Sequence, residues 1–330
     1  MITKSTSLLR QSAFTLLFAV PVVAFAQAGA ARLADSEKDA VYDCAIPPLT
    51  AAAAKAAELG MAQWDKNKMG CAADIWYSLA ERAPADTMLQ VQALLASTSY
   101  IDQVNILAGL DAYGVHQPEF TARILHAVEH GKALEARLAA VPAEDATVLA
   151  ARALYRLTWP AKVADAKAQI AESRAAMQLF EKAVAIDPKA LDGNALWILG
   201  RLYYDLPEFA GGDPVKGQML LERAYRNTPH NIALLRYSAY VFVQERDIKS
   251  ARGRLIEILA LQADPAGLQP MSDELKQASE LATRIGETAL AEQLISKRKS
   301  LLKANPQLLL RLVPAINLHG GVDPMTGKDY

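Results

Sequence analysis

The sequence predicts an all-α protein of helical hairpins stacked into a compact solenoid or bundle. Two observations point there. Apolar residues recur at three- and four-residue spacing from Leu49 onward, with Pro or Asp-Pro at the ends of the periodic segments. The composition is rich in Ala, Leu, Glu, Gln, Lys and Arg, with aromatics at only 7%, which favours helix over sheet. The chain has 330 residues and 52% hydrophobic residues, enough for a substantial core and incompatible with disorder throughout. Lys plus Arg (35) balance Asp plus Glu (36), so nothing in the charge drives nucleic-acid binding.

Residues 1–26 read as a secretory signal peptide. Lys4 and Arg10 form a positive start, an apolar run from Ala13 to Val23 follows, and Ala24-Phe25-Ala26 is a small-x-small cleavage site before Gln27. The apolar run is about half of the roughly 20 residues that a membrane span needs. Cleavage there removes two cations and takes the formal charge from −1 to −3. The mature chain is expected to be a soluble exported protein. No Cys stands at the cleavage site to carry a lipid. Cys44 and Cys71 are the two cysteines, and an oxidising compartment makes one structural disulfide between them the simplest expectation. It would tie the N-terminal segment to the helix near Cys71.

An all-helical repeat domain is expected over residues 27–306, with a C-terminal tail over 307–330. Near the N-terminus Met61 and Ala73 are twelve apart, and Trp76, Ala80 and Pro84 continue that unit. Thr158-Trp159-Pro160 breaks a longer unit. Ala176, Phe180, Ala183 and Pro188 form the second helix of another. Leu196, Leu199, Gly200 and Tyr203, then Leu220, Leu221, Ala224 and Pro229, make the next. The clearest unit runs 34 residues from Ile232 to Pro265, with Ala239 and Ala251 again twelve apart around Glu245-Arg246-Asp247. A weaker copy spans Glu274 to Pro306. This is the tetratricopeptide pattern: small residues let two helices approach closely, and larger apolar residues fill the space against the next hairpin. A generic Ala-rich bundle would also be all-α.

Between Gly200 and Gly217 the spacing is 17 rather than 12. The added residues fall in the turn, where Gly211-Gly212 gives conformational freedom, Asp213 is placed to cap the next helix, and Pro214 takes its first position. Leu199-Gly200-Arg201-Leu202-Tyr203-Tyr204, Leu206-Pro207, Gly211-Gly212-Asp213 and Leu221-Glu222-Arg223-Ala224 together resemble the TatT component of TRAP transporters. The overlap covers roughly residues 195–264. The resemblance implies a periplasmic, all-helical helper protein with a hydrophobic cavity, acting beside a periplasmic substrate-binding or transporter protein. A small organic or lipid-like ligand is the expected guest. Homo-oligomerisation and peripheral contact with a membrane are left open. The alternative is a repeat scaffold that binds a protein partner in the cell envelope.

Helical spacing puts Asn194, Trp197, Arg201 and Tyr204 on one face, and Arg236, Tyr240 and Val243 on the equivalent face of the next unit. Aromatics mixed with Arg and Asn suit a cavity that buries an apolar body and orients one polar group. These seven residues are the expected ligand-binding set. No cofactor and no catalytic residue is expected. His126-Ala127-Val128-Glu129-His130 does match H-x-x-E-H, which would offer two zinc ligands with Glu129 as base and Glu208 as a third ligand. That motif belongs to a mixed α/β setting, so here it reads as a solvated helical face without metal. Ser296-Lys297-Arg298-Lys299 likewise reads as a solvated helix end.

Overall fold

The computed structural model describes residues 57, 66–109, 118–141, 145–158, 166–263 and 268–305. The leader, Cys44, Met61 and the tail lie outside them. The described residues are helical without a strand, and no helix among them is long and apolar enough to cross a membrane. They divide into two compact units, one ending at Gly217 and the other starting at Gln218.

The first unit holds α1 (Lys66–Arg82), α2 (Thr87–Gly109), α3 (Pro118–Ala139), α4 (Ala146–Thr158), α5 (Ala166–Ile186), α6 (Asn194–Asp205) and a 3₁₀ turn (Glu208–Ala210). Neighbouring helices pack on one another: α1 on α2, α2 on α3, α4 on α5 and α5 on α6. The core is made of fully buried side chains, among them Leu94, Tyr100, Leu134, Leu149, Phe180 and Leu196. Caps set the starts. Asp86 Oδ1 accepts the Leu89 N–H at 3.0 Å at the head of α2, and Asp145 Oδ1 accepts the Val148 N–H at 3.1 Å at the head of α4. Prolines set the stops of α5, which ends before Pro188, and of α6, which ends before Pro207, whereas Trp159 and Pro160 lie outside the described residues. The link from α5 to α6 is unusual. Leu191 (φ 52°), Asp192 (φ 55°) and Gly193 (φ 81°) are three consecutive residues in the left-handed region, a conformation costly for side chains other than Gly, Asn and Asp.

The long turn after α6 follows its sequence closely. Gly211 has φ 99°. A Cβ on Gly212 would lie 1.7 Å from the Leu206 carbonyl oxygen, so only glycine fits there. Asp213 Oδ1 accepts the Lys216 N–H at 3.0 Å, capping α7 (Pro214–Asn227), which starts at the proline.

The second unit contains α8 (Ile232–Gln244), α9 (Ile248–Ala260), α10 (Leu268–Arg284) and α11 (Thr288–Ala304). α8 pairs with α9 and α10 with α11. Leu235, Ala239, Leu255, Ile258, Leu275 and Leu294 form one apolar cluster. Ala239 and Ala251 are both fully buried, as the twelve-residue spacing requires. The α8–α9 turn closes through Arg246 (φ 61°), and Asp247 Oδ1 accepts the Ser250 N–H at 3.0 Å.

The basic run of the last helix corrects an expectation. Lys297 and Arg298 do not point into solvent. Lys297 Nζ donates to the carbonyls of Leu259, at 2.7 Å, and Leu261. Arg298 is buried, and its Nε donates to the Ser272 carbonyl at 3.1 Å. The end of α9 leaves carbonyls without intrahelical donors, and a long cationic side chain from α11 satisfies them. Burial pulls the ionisation of both groups below its ordinary range.

Candidate functional site

The seven predicted ligand residues fall in two groups, one in each unit. On α6, Trp197 is buried at 9% exposure, and its indole N–H donates to Asn194 Oδ1 at 2.8 Å. Asn194 in turn donates from Nδ2 to the Leu191 carbonyl at 2.8 Å, which ties the stripe to the left-handed link. Arg201 Nε donates to Asp205 Oδ2 at 3.2 Å, one turn along the helix. Tyr204 is half-buried. Asn194, Trp197 and Arg201 are therefore held by partners on α6 and in the link before it, and Trp197 belongs partly to the core.

On α8, Arg236 forms a partly buried ion pair with Glu274 of α10. Tyr240 and Val243 are half-buried and pack on the apolar cluster of the second unit. The rings of Tyr237 and Tyr240 lie 5.7 Å apart. Each group thus combines aromatic surface with an arginine fixed by a carboxylate. An arginine held this way keeps its orientation.

A third feature escaped the sequence reading. An open hollow of about 200 Å³ lies along α4 and α5, lined by Arg152, Arg156, Ala175, Gln178, Leu179 and Lys182. Glu135 of α3 accepts from both arginines at 3.2 Å, and Glu172 accepts from Arg156 at 2.8 Å. Burial opposes the Arg156 charge, but the two carboxylates outweigh it and raise its ionisation above the ordinary value. The i, i+4 pairs Arg152/Arg156 and Gln178/Lys182 were visible in the sequence. That they face one hollow depended on how α4 packs on α5.

The histidine motif is also corrected. His126 and His130 do not lie on a solvated face. Both turn toward Asp74 of α1, whose Oδ1 is 3.0 Å from His126 Nε2 and 3.3 Å from His130 Nδ1. Burial alone would push the Asp74 carboxyl up, but the two histidine contacts outweigh it and hold it at about 2. Glu129, the base in the hydrolytic reading, faces solvent and pairs with Lys132 at 3.2 Å. Glu208 lies in the exposed turn after α6 and is not part of this cluster.

No curated protein matches the chain. A family model described as "TRAP transporter T-component" matches residues 108–284. That span is more than half of the chain and contains every residue of both stripes, from Asn194 to Val243. With its helical hairpins and this match, the chain belongs to the TRAP transporter T-component family.

Proposed function

We propose that the protein is a non-enzymatic accessory and ligand-binding component of a TRAP transport system. It is exported to the periplasm and shelters a small organic or lipid-like molecule in an inner cavity of its helical fold. Its partner is a periplasmic substrate-binding or transporter protein. The observation that carries this reading is the family match over residues 108–284. The chemistry of the two stripes supports it. In the first unit Trp197 and Tyr204 offer apolar surface beside Arg201, in the second Tyr240 does so beside Arg236, and each arginine is an oriented cation for a polar group of a guest.

The test is mass spectrometry of molecules extracted from protein purified under native conditions. A co-purifying amphiphile is expected. Absence of any such molecule, together with unchanged Trp fluorescence when a medium-chain fatty acid is added, overturns the carrier reading.

One observation favours the scaffold alternative. Phe209 and Val215, in and just after the long turn, are each 70% exposed. Large apolar side chains this open are typical of contact surfaces when they cluster. Replacing both with Ser should leave guest binding intact and abolish partner capture if the scaffold reading holds.

A further inference from the structure

The helices α1 and α3 bring together three side chains that lie far apart in sequence. Asp74 and His126 are 52 residues apart, yet their bonding atoms are 3.0 Å apart. His130 stands one helical turn after His126 and presents Nδ1 to the same carboxylate oxygen at 3.3 Å. Ligand atoms from all three residues lie within 4.8 Å of one another. We propose that Asp74, His126 and His130 bind one borderline divalent transition cation, Zn²⁺ foremost, which pins α1 to α3.

The donor set selects the metal class. Two imidazoles and one carboxylate suit Zn²⁺ and its transition-metal neighbours, whereas Ca²⁺ and Mg²⁺ require mostly oxygen. With bonds of about 2.0–2.2 Å, tetrahedral ligands stand roughly 3.4 Å apart. The two carboxylate–histidine separations, 3.0 and 3.3 Å, are already close to that value, and the third, within 4.8 Å, closes by a shift of up to about 1.4 Å of the His126 imidazole. Binding displaces the proton from each coordinating nitrogen, to the other ring nitrogen or to solvent. Water completes the fourth position.

The surroundings hold the ligands while leaving a way in. The side chains of Asp74, His126 and His130 are 12%, 27% and 20% exposed. The carboxylate is therefore sheltered, and the imidazole edges reach solvent. Tyr77, one turn after Asp74, stacks on His130 with ring centroids 3.7 Å apart and planes 1° from parallel, which fixes the plane of that imidazole. Orientation of this kind is what a neighbouring residue contributes to a metal ligand. Glu129 points away and pairs with Lys132, so the cation would act as a clamp and not in hydrolysis.

The experiment is equilibrium dialysis of the tag-free, metal-stripped protein against ZnCl₂, with thermal melts at each zinc level. One Zn²⁺ per chain and a zinc-dependent rise in melting temperature are expected. His126→Gln and His130→Gln should each weaken binding about tenfold or more and remove the thermal shift. His230→Gln, a histidine outside the cluster, should change neither. Circular dichroism identifies variants that fold. The proposal is overturned if the wild type takes up no zinc, or if folded His126→Gln and His130→Gln bind it as tightly as the wild type. The guest molecule and the transport role do not enter this measurement.

Discussion

Gly217 of α7 rests against Gly200 of α6: a Cβ at position 217 would lie 2.8 Å from the Gly200 carbonyl oxygen and 2.7 Å from the Tyr204 nitrogen. The neighbours are backbone atoms, so no side-chain rotation relieves the overlap. Gly217→Ala should destabilise the protein by about 1–3 kcal/mol, as overpacking does elsewhere. Gly253 on α9 is the control, because a Cβ there meets nothing within 4 Å. Gly253→Ala should stabilise by about 0.5–1 kcal/mol, through helix propensity and a less flexible unfolded chain. Urea denaturation of both variants measures the two signs. A neutral Gly217→Ala would show that α6 and α7 do not touch as described.

Glu181 gives a pH-dependent test. Burial pushes its carboxyl up, but the Tyr203 hydroxyl and the Lys216 ammonium outweigh this and hold it below its ordinary range. Its folded value is lower than its unfolded value. The contribution to stability is therefore fully present above the ordinary carboxylate range and is lost as pH falls through the depressed value. The side chain is 41% exposed, so the effect is modest and weakens with salt. Melting temperatures of wild type and Glu181→Gln should differ most near about pH 6 and converge as the pH falls through the depressed value, below the ordinary carboxylate range.

Cys71 lies on α1, half-buried, and its expected pairing with Cys44 is directly measurable. Peptide mapping without reductant should recover the two segments as one linked species. Reduction should lower stability by roughly 3–4 kcal/mol in the chain-entropy view. Separate, alkylatable thiols in freshly purified protein would refute the link.

The stripe residues separate binding from folding. Trp197→Phe keeps most of the buried surface and removes the N–H that meets Asn194 Oδ1. Tyr240→Ala removes a half-buried ring beside the second core. Each should weaken uptake of a hydrophobic probe about tenfold, or roughly 1.4 kcal/mol, while the melting temperature falls only a few degrees. A loss of folding equal to the loss of binding would assign both rings to packing alone.

Much of the fold was legible because helix punctuation is local. Asp213 and Pro214 cap and start α7 through atoms within a few residues of themselves, so the sequence states their roles. The twelve-residue interval from Ala239 to Ala251 marked a buried hairpin for the same reason. The site was less legible because its partners are distant. Nothing near His126 reveals Asp74, and nothing near Lys297 reveals the carbonyls of Leu259 and Leu261. A charged or histidine-bearing helix face reads as solvated until another helix is laid on it. Trp197 was read as facing a guest, and its burial depends on packing that helical spacing alone does not specify.

The left-handed run at Leu191, Asp192 and Gly193 has a practical consequence for redesign. Repeat modules are usually exchanged as interchangeable bricks joined by generic connectors. This joint is not generic. A consensus linker of helix-friendly residues would change the exit direction of α5, and grafts made across it should preserve those three residues or replace the first two with Gly or Asn.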